Sequence, residues 1–129
     1  MHVGDVTFFE RTFTVEEVKQ FGQISGDLGI HHVQSDAQGR VLVQGLLTAT
    51  LPTKLGGDLN FLARKMTLEF LRPVFTGDTI RCESTTEYIE KQADRTAMVF
   101  AIVCRNQLGK EVLTGHIHGI IRDESAKEK

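Results

Sequence analysis

Cysteine is nearly missing from this chain of 129 residues, with two, Cys82 and Cys104. They fall in different strand-like runs and form no CxxC pair, so the expectation is two reduced, largely buried thiols. Proline is equally scarce and low-complexity sequence is missing, which leaves the bulk of the chain expected to be ordered. An excess of either charge is lacking too. The 15 Lys and Arg are scattered among 17 Asp and Glu for a formal net charge of −2. That balance offers no basic face to a phosphate backbone, and nucleic acid is not an expected partner. No apolar run approaches the roughly 18 residues that span a bilayer, so no membrane partner is expected. Met1 to Glu10 has neither the charged n-region nor the apolar core of a signal peptide, which makes the cytoplasm the default location.

What is present is an ordinary globular composition, 40% hydrophobic and 25% charged. A chain of this length buries roughly two thirds of its unfolded surface, enough for one domain without a disulfide or a metal. Thr14 and Glu17 form a capping box, with Phe13 set to staple onto Val18, and a helix starts there. Val15, Val18, Phe21 and Ile24 recur at three-residue steps, and Gly26 supplies the backbone that ends the helix. Asp27 to Arg40 is polar and without a period, which reads as an irregular loop. Gly45 to Lys54 reads as an almost wholly apolar second helix that ends at Gly56-Gly57 and belongs inside. Pro52 within it predicts a bend or an early end.

After that helix the period becomes two. Met66, Leu68 and Phe70 alternate with Lys65, Thr67 and Glu69, the pattern of a half-buried strand closed by Arg72-Pro73. Further strands are predicted near Thr79 to Ile89, Thr96 to Arg105 and Val112 to Ile121. The connections are short, which suggests an antiparallel meander of four. The run Ala97 to Val103 is apolar on both faces and is expected to be central and covered on both sides. The predicted class is α+β, a curved antiparallel sheet wrapped around a buried helix.

Ser25-Gly26-Asp27-Leu28-Gly29-Ile30-His31-His32 sets a carboxylate and an imidazole five residues apart just beyond a helix. Such a pair can grip one water molecule, with a neutral imidazole able to accept a proton near pH 7. The same residues also suit an Asp that caps a turn and a His on the surface. His116 and His118 lie two apart on the last strand and share a face. A zinc site joining them to His31 or Asp27 matches no recognised ligand spacing, and two surface or interface histidines are the better reading.

Four blocks stand in order along the chain: Phe13-Thr14 to Phe21, Ser25-Gly26-Asp27 with His32, Gln44-Gly45-Leu46-Leu47, and Phe70 to Ile80, the last being the most specific. Together they resemble the MaoC-like, (R)-specific enoyl-CoA hydratase family of hot-dog proteins. The resemblance runs from about Val3 to Arg122. It implies a hot-dog domain over residues 1–122, with a solvated tail over 123–129. It also implies a homodimer or higher oligomer, an acyl-CoA or acyl-carrier thioester as substrate, no cofactor, and a place in fatty acid metabolism. Asp27 and His32 would then deprotonate a water that attacks C3 of a trans-2-enoyl thioester. Gly45 would offer a backbone N–H, helped by the helix dipole, to the carbonyl oxygen as it gains charge. His31, Gln44 and Thr53 are the further candidates for contact with substrate.

The chain also departs from the family pattern. Gly29-Ile30 stands where Asn-Pro is usual, Gln44 occupies the place of a frequent His, and the segment from His32 to Gly45 is shorter. The lost Pro and Asn remove a rigid residue and an orienting amide, which leaves His31 as an alternative to His32. A hot-dog thioesterase and a non-catalytic thioester-binding module are the two other functions that the same blocks allow.

Overall fold

The computed structural model describes residues 1–123, so the expected tail, apart from Asp123, lies outside the described residues. Strand β1 is Val6–Thr12, followed by helices α1 (Val15–Ser25), α2 (Ile30–Val33), α3 (Gly45–Thr48) and α4 (Thr50–Asp58). Four further strands follow: β2 (Phe61–Phe70), β3 (Thr79–Lys91), β4 (Arg95–Arg105) and β5 (Glu111–Arg122). All four strand pairings are antiparallel, in the order β1-β3-β4-β5-β2.

Helix α1 begins as the sequence predicts. Thr14 accepts from the Glu17 N–H, and the Glu17 carboxylate accepts from the Thr14 N–H at 2.9 Å. Phe13 and Val18 are both buried, and Gly26 closes the helix in the left-handed region at φ 78°. Ile24 does not join that face and is 85% exposed. Steps of three residues drift by about 60° on a helix of 100° per residue, so Ile24 stands opposite Val15. Gly22, four residues after Val18, takes the buried position instead.

The apolar run after Gln44 is interrupted, three residues before Pro52. The break falls at Ala49, between α3 and α4, and places Pro52 in the first turn of α4, where its missing N–H has no intrahelical partner to lose. The chain then stays helical past Gly56-Gly57 to Asp58. Leu51 and Leu55 of α4 are buried in the same core as Met98, Phe100 and Ile102 of β4. Leu46 is 62% exposed, so the run is not buried all round.

The sheet differs from a four-strand meander in two ways. Only β3, β4 and β5 follow one another as neighbours. Strand β2 pairs with β5 at one edge, and β1, which periodicity did not reveal, pairs with β3 at the other. Strand β4 is central, as expected, yet only Met98, Phe100, Ile102 and Cys104 are buried. Ala97, Val99, Ala101 and Val103, on the face away from α4, are half-buried. Cys82 and Cys104 are free, buried and directly opposite one another across β3 and β4. The Cys104 thiol and burial together push the Cys82 thiol well above the usual range.

Candidate active site

Asp27 and His32 arrive on one loop through a chain of local hydrogen bonds. The Asp27 N–H donates to Ser25 Oγ at 3.0 Å, and its Oδ1 accepts from the Gly29 N–H at 3.4 Å. The segment beyond is not irregular throughout, as expected, but turns once as α2. That turn carries both histidines, and the His32 N–H donates to the Gly29 carbonyl at 2.8 Å. Two bonds then clamp it to the chain before α3: Leu42 N–H to the His31 carbonyl at 3.0 Å, and His32 Nδ1 to the Leu42 carbonyl at 2.6 Å.

The second of these bonds decides the protonation of the ring. A carbonyl can only accept, so Nδ1 carries the hydrogen, and neutral His32 presents its lone pair at Nε2. That atom lies 3.6 Å from Asp27 Oδ2. Two acceptors at that separation share no direct hydrogen bond, and a water that donates to both can join them. The His32 side chain is only 10% exposed, whereas that of Asp27 is 51% exposed.

His32 and Gly45 line one cavity of about 450 Å³, together with Leu42, Thr48, Phe70 and Arg72. Gly45 is fixed there by space. A Cβ on it would stand 2.8 Å from Phe70 Cε1, so only glycine lets the ring lie under the start of α3. Its N–H has no hydrogen-bond partner among the described residues, as befits the first position of a helix. Because α3 is one turn of four residues, the helix dipole adds little, and the free N–H itself is what the position offers.

Asp27 reaches His32 but does not itself line that cavity, and the remaining candidates are not brought to it either. His31 is exposed, stands edge-on to His32 with ring centroids 5.6 Å apart, and lines a neighbouring depression with Asp36 and Arg40. Gln44 is buried and donates from Nε2 to the Val18 carbonyl of α1 at 2.9 Å. Thr53 donates back to the Ala49 carbonyl at 2.9 Å and lines a separate apolar cavity of about 260 Å³ with Leu55, Gly56, Phe61, Met66 and Phe100. His116 pairs with Glu87 at 3.2 Å, so it does not join His31 or Asp27. Among the described residues no three His, Cys, Asp or Glu side chains are placed to hold a metal ion. No helix there is long and apolar enough to cross a membrane. Sequence reading missed the Leu42 carbonyl and Phe70. The first had no signal, since every residue carries a carbonyl; the second had only its place in the alternating strand.

No family model matches the chain, and no curated protein matches it. Solved structures do. An (R)-hydratase from A. caviae involved in PHA biosynthesis has a TM-score of 0.81 at 23% identity, over 95% of this chain and 97% of that one. A MaoC-like dehydratase from Rhodospirillum rubrum has a TM-score of 0.76 at 18% identity, over 96% and 94%. The ChsH1-ChsH2 complex from Mycobacterium tuberculosis has a TM-score of 0.79 at 18% identity, over 95% and 99%. At these identities the likeness is one of architecture. This chain has the hot-dog fold that hydratase and MaoC-like dehydratase structures share.

Proposed function

We propose that this chain is a MaoC-like (R)-specific hydratase that adds water to a trans-2-enoyl thioester of coenzyme A or an acyl carrier, or removes it in reverse. The observation that carries the reading is the His32 ring. It is held by the Leu42 carbonyl with its Nε2 lone pair 3.6 Å from Asp27 Oδ2, and His32 lines the cavity that Gly45 also lines. A water between them donates one hydrogen to Nε2 and the other to the Asp27 carboxylate. Nε2 takes its proton as the oxygen bonds to C3, and the thioester carbonyl oxygen accepts the Gly45 N–H as charge moves onto it. The imidazolium returns the proton to C2, which completes the addition with no group left over.

The active form in this reading is a homodimer joined along β2. Its outer edge pairs with no strand among the described residues, Leu62, Met66 and Phe70 on it are 51, 43 and 53% exposed, and the strand lines both cavities. An uncovered apolar edge of this kind invites pairing, and a second copy placed there closes both cavities at once.

The test is loss of enoyl absorbance from crotonyl-CoA with purified protein. Asp27→Asn and His32→Gln should each slow it by roughly 100- to 10,000-fold without a matching loss of thermal stability, while His31→Gln should not. Release of free thiol from a saturated acyl-CoA would point to a thioesterase instead. Binding without turnover would leave a non-catalytic module.

A further inference from the structure

Gln44 is an unusual side chain to find where it is. It is 1% exposed, its Nε2 donates to the Val18 carbonyl of α1 at 2.9 Å, and its Oε1 is buried with no partner. The carbonyl it reaches is in mid-helix, where the helix's own N–H ladder already serves it, so the bond is not needed to satisfy Val18. The stranded Oε1 lowers stability. Methionine, with nearly the same length and volume, would fill the space without that loss. Something other than packing must therefore favour an amide here.

The two ends of the bond suggest what. On one side is α1, whose last turn runs through Gly26 into Asp27, with Gly26 N–H bonded to the Gly22 carbonyl and Leu28 N–H to the Gly26 carbonyl. A Cβ on Gly22 would stand 3.5 Å from Gln44 Nε2 and 3.4 Å from the Asp27 carbonyl, so the amide and the turn that delivers the carboxylate both lie over Gly22. On the other side Gln44 caps α3, its carbonyl accepting from the Leu47 and Thr48 N–H groups, and its next neighbour is Gly45. No other side-chain hydrogen bond among the described residues joins α1 to α3 or α4.

We propose that Gln44 is a positioning residue: one amide bond ties the helix that carries Asp27 to the turn that carries the Gly45 N–H, and so fixes the acid relative to the carbonyl site. This rests on the hydratase reading for its effect on rate, but not for its effect on the loop. An acid displaced by a fraction of an ångström loses rate out of proportion to any loss of stability.

The experiment compares wild type, Gln44→Met and Gln44→His by thermal unfolding, crotonyl-CoA turnover and amide hydrogen exchange. Gln44→Met should melt at or above the wild-type temperature, lose about tenfold in kcat with KM little changed, and exchange the amides of residues 27–32 about tenfold faster while β3 to β5 stay protected. Gln44→His, which can donate an N–H to the same carbonyl, should recover most of both. Wild-type kcat and loop exchange in Gln44→Met overturn the proposal, and so does a lowered melting temperature with faster exchange throughout. If wild type turns over no enoyl thioester, the hydratase reading fails, and the exchange of residues 27–32 still decides this one.

Discussion

Adding one methyl group at Gly45 separates what this position does for the fold from what it does for the site. A Cβ there would meet Phe70 Cε1, Cδ1 and Cζ at 2.8, 3.0 and 3.2 Å. Carbon pairs rest at about 3.5–4.0 Å, so the ring must retreat by roughly 0.7 Å or more. Phe70 closes strand β2 and is 53% exposed, which lets it swing without disturbing the buried core. The cost to folding should therefore sit at the low end for overpacking, about 1 kcal/mol, or a drop of about 3–5 °C in melting temperature for a domain of this size. The cost to turnover should be larger. The displaced ring borders the cavity with His32, and a thioester carbonyl pushed off the Gly45 N–H loses a donor worth about 100-fold, or 2.7 kcal/mol. Circular dichroism melts and crotonyl-CoA turnover read the two costs apart. Phe70→Leu in the same chain should restore most of the lost stability, a coupling that a double-mutant cycle measures. Wild-type turnover by Gly45→Ala, or a stability loss that Phe70→Leu leaves untouched, would refute the reasoning.

Other consequences are as direct. Leu51→Ala, at a side chain with no exposure at the centre of the core, should cost about 2–5 kcal/mol by chemical denaturation. Cys82 and Cys104 should resist a thiol reagent in the native protein and both react once it unfolds, because neither is exposed and the paired thiols hold the Cys82 proton. Backbone N–H groups of Arg40 and Gln38, with the Arg40 side chain, hold the Asp36 carboxyl below its ordinary pKa. The loop from Asp36 to Arg40 should thus be fully ordered above the ordinary aspartate range and loosen only as pH falls through the depressed value. A carbon-detected NMR titration with its midpoint at or above that of a free aspartate would contradict this.

How far the sequence could be read depended on whether the signal was local. The capping box of Thr14 and Glu17, the left-handed Gly26 and the strand runs from Thr79 onward are set by neighbours a few residues apart, and each stands where periodicity places it. Strand β1 was hidden because Phe8 and Phe9 fall on opposite faces of an edge strand, so apolar and polar residues do not alternate cleanly. The pairing of β2 with β5, not β3, is a choice between distant partners that no window along the chain contains. The candidate site divides the same way. Asp27 and His32 are five residues apart and were visible, while the Leu42 carbonyl and the Phe70 ring come to the cavity of His32 only through the fold.

The loop between Asp27 and His32 shows why a lost motif need not mean a lost geometry. Proline at Ile30 would restrict one φ angle, and an Asn at Gly29 would supply one amide. Here the same constraint is spread over four contacts: Gly29 N–H on Asp27, His32 N–H on the Gly29 carbonyl, Leu42 N–H on the His31 carbonyl, and His32 Nδ1 on the Leu42 carbonyl. Three of these involve only backbone or a ring nitrogen and survive any change of side chain at residues 29 and 30 that keeps α2. The fourth, at 3.4 Å and beside a half-exposed carboxylate, is the weak one. Restoring Asn-Pro by Gly29→Asn with Ile30→Pro should therefore slow amide exchange at residues 28 and 29 far more than it raises kcat. His32 already has its orientation from Leu42, and only the acid has freedom left to lose. A rise in kcat of tenfold or more would mean that the freedom left to the acid limits the rate, and that the contacts present do not replace the lost Asn-Pro.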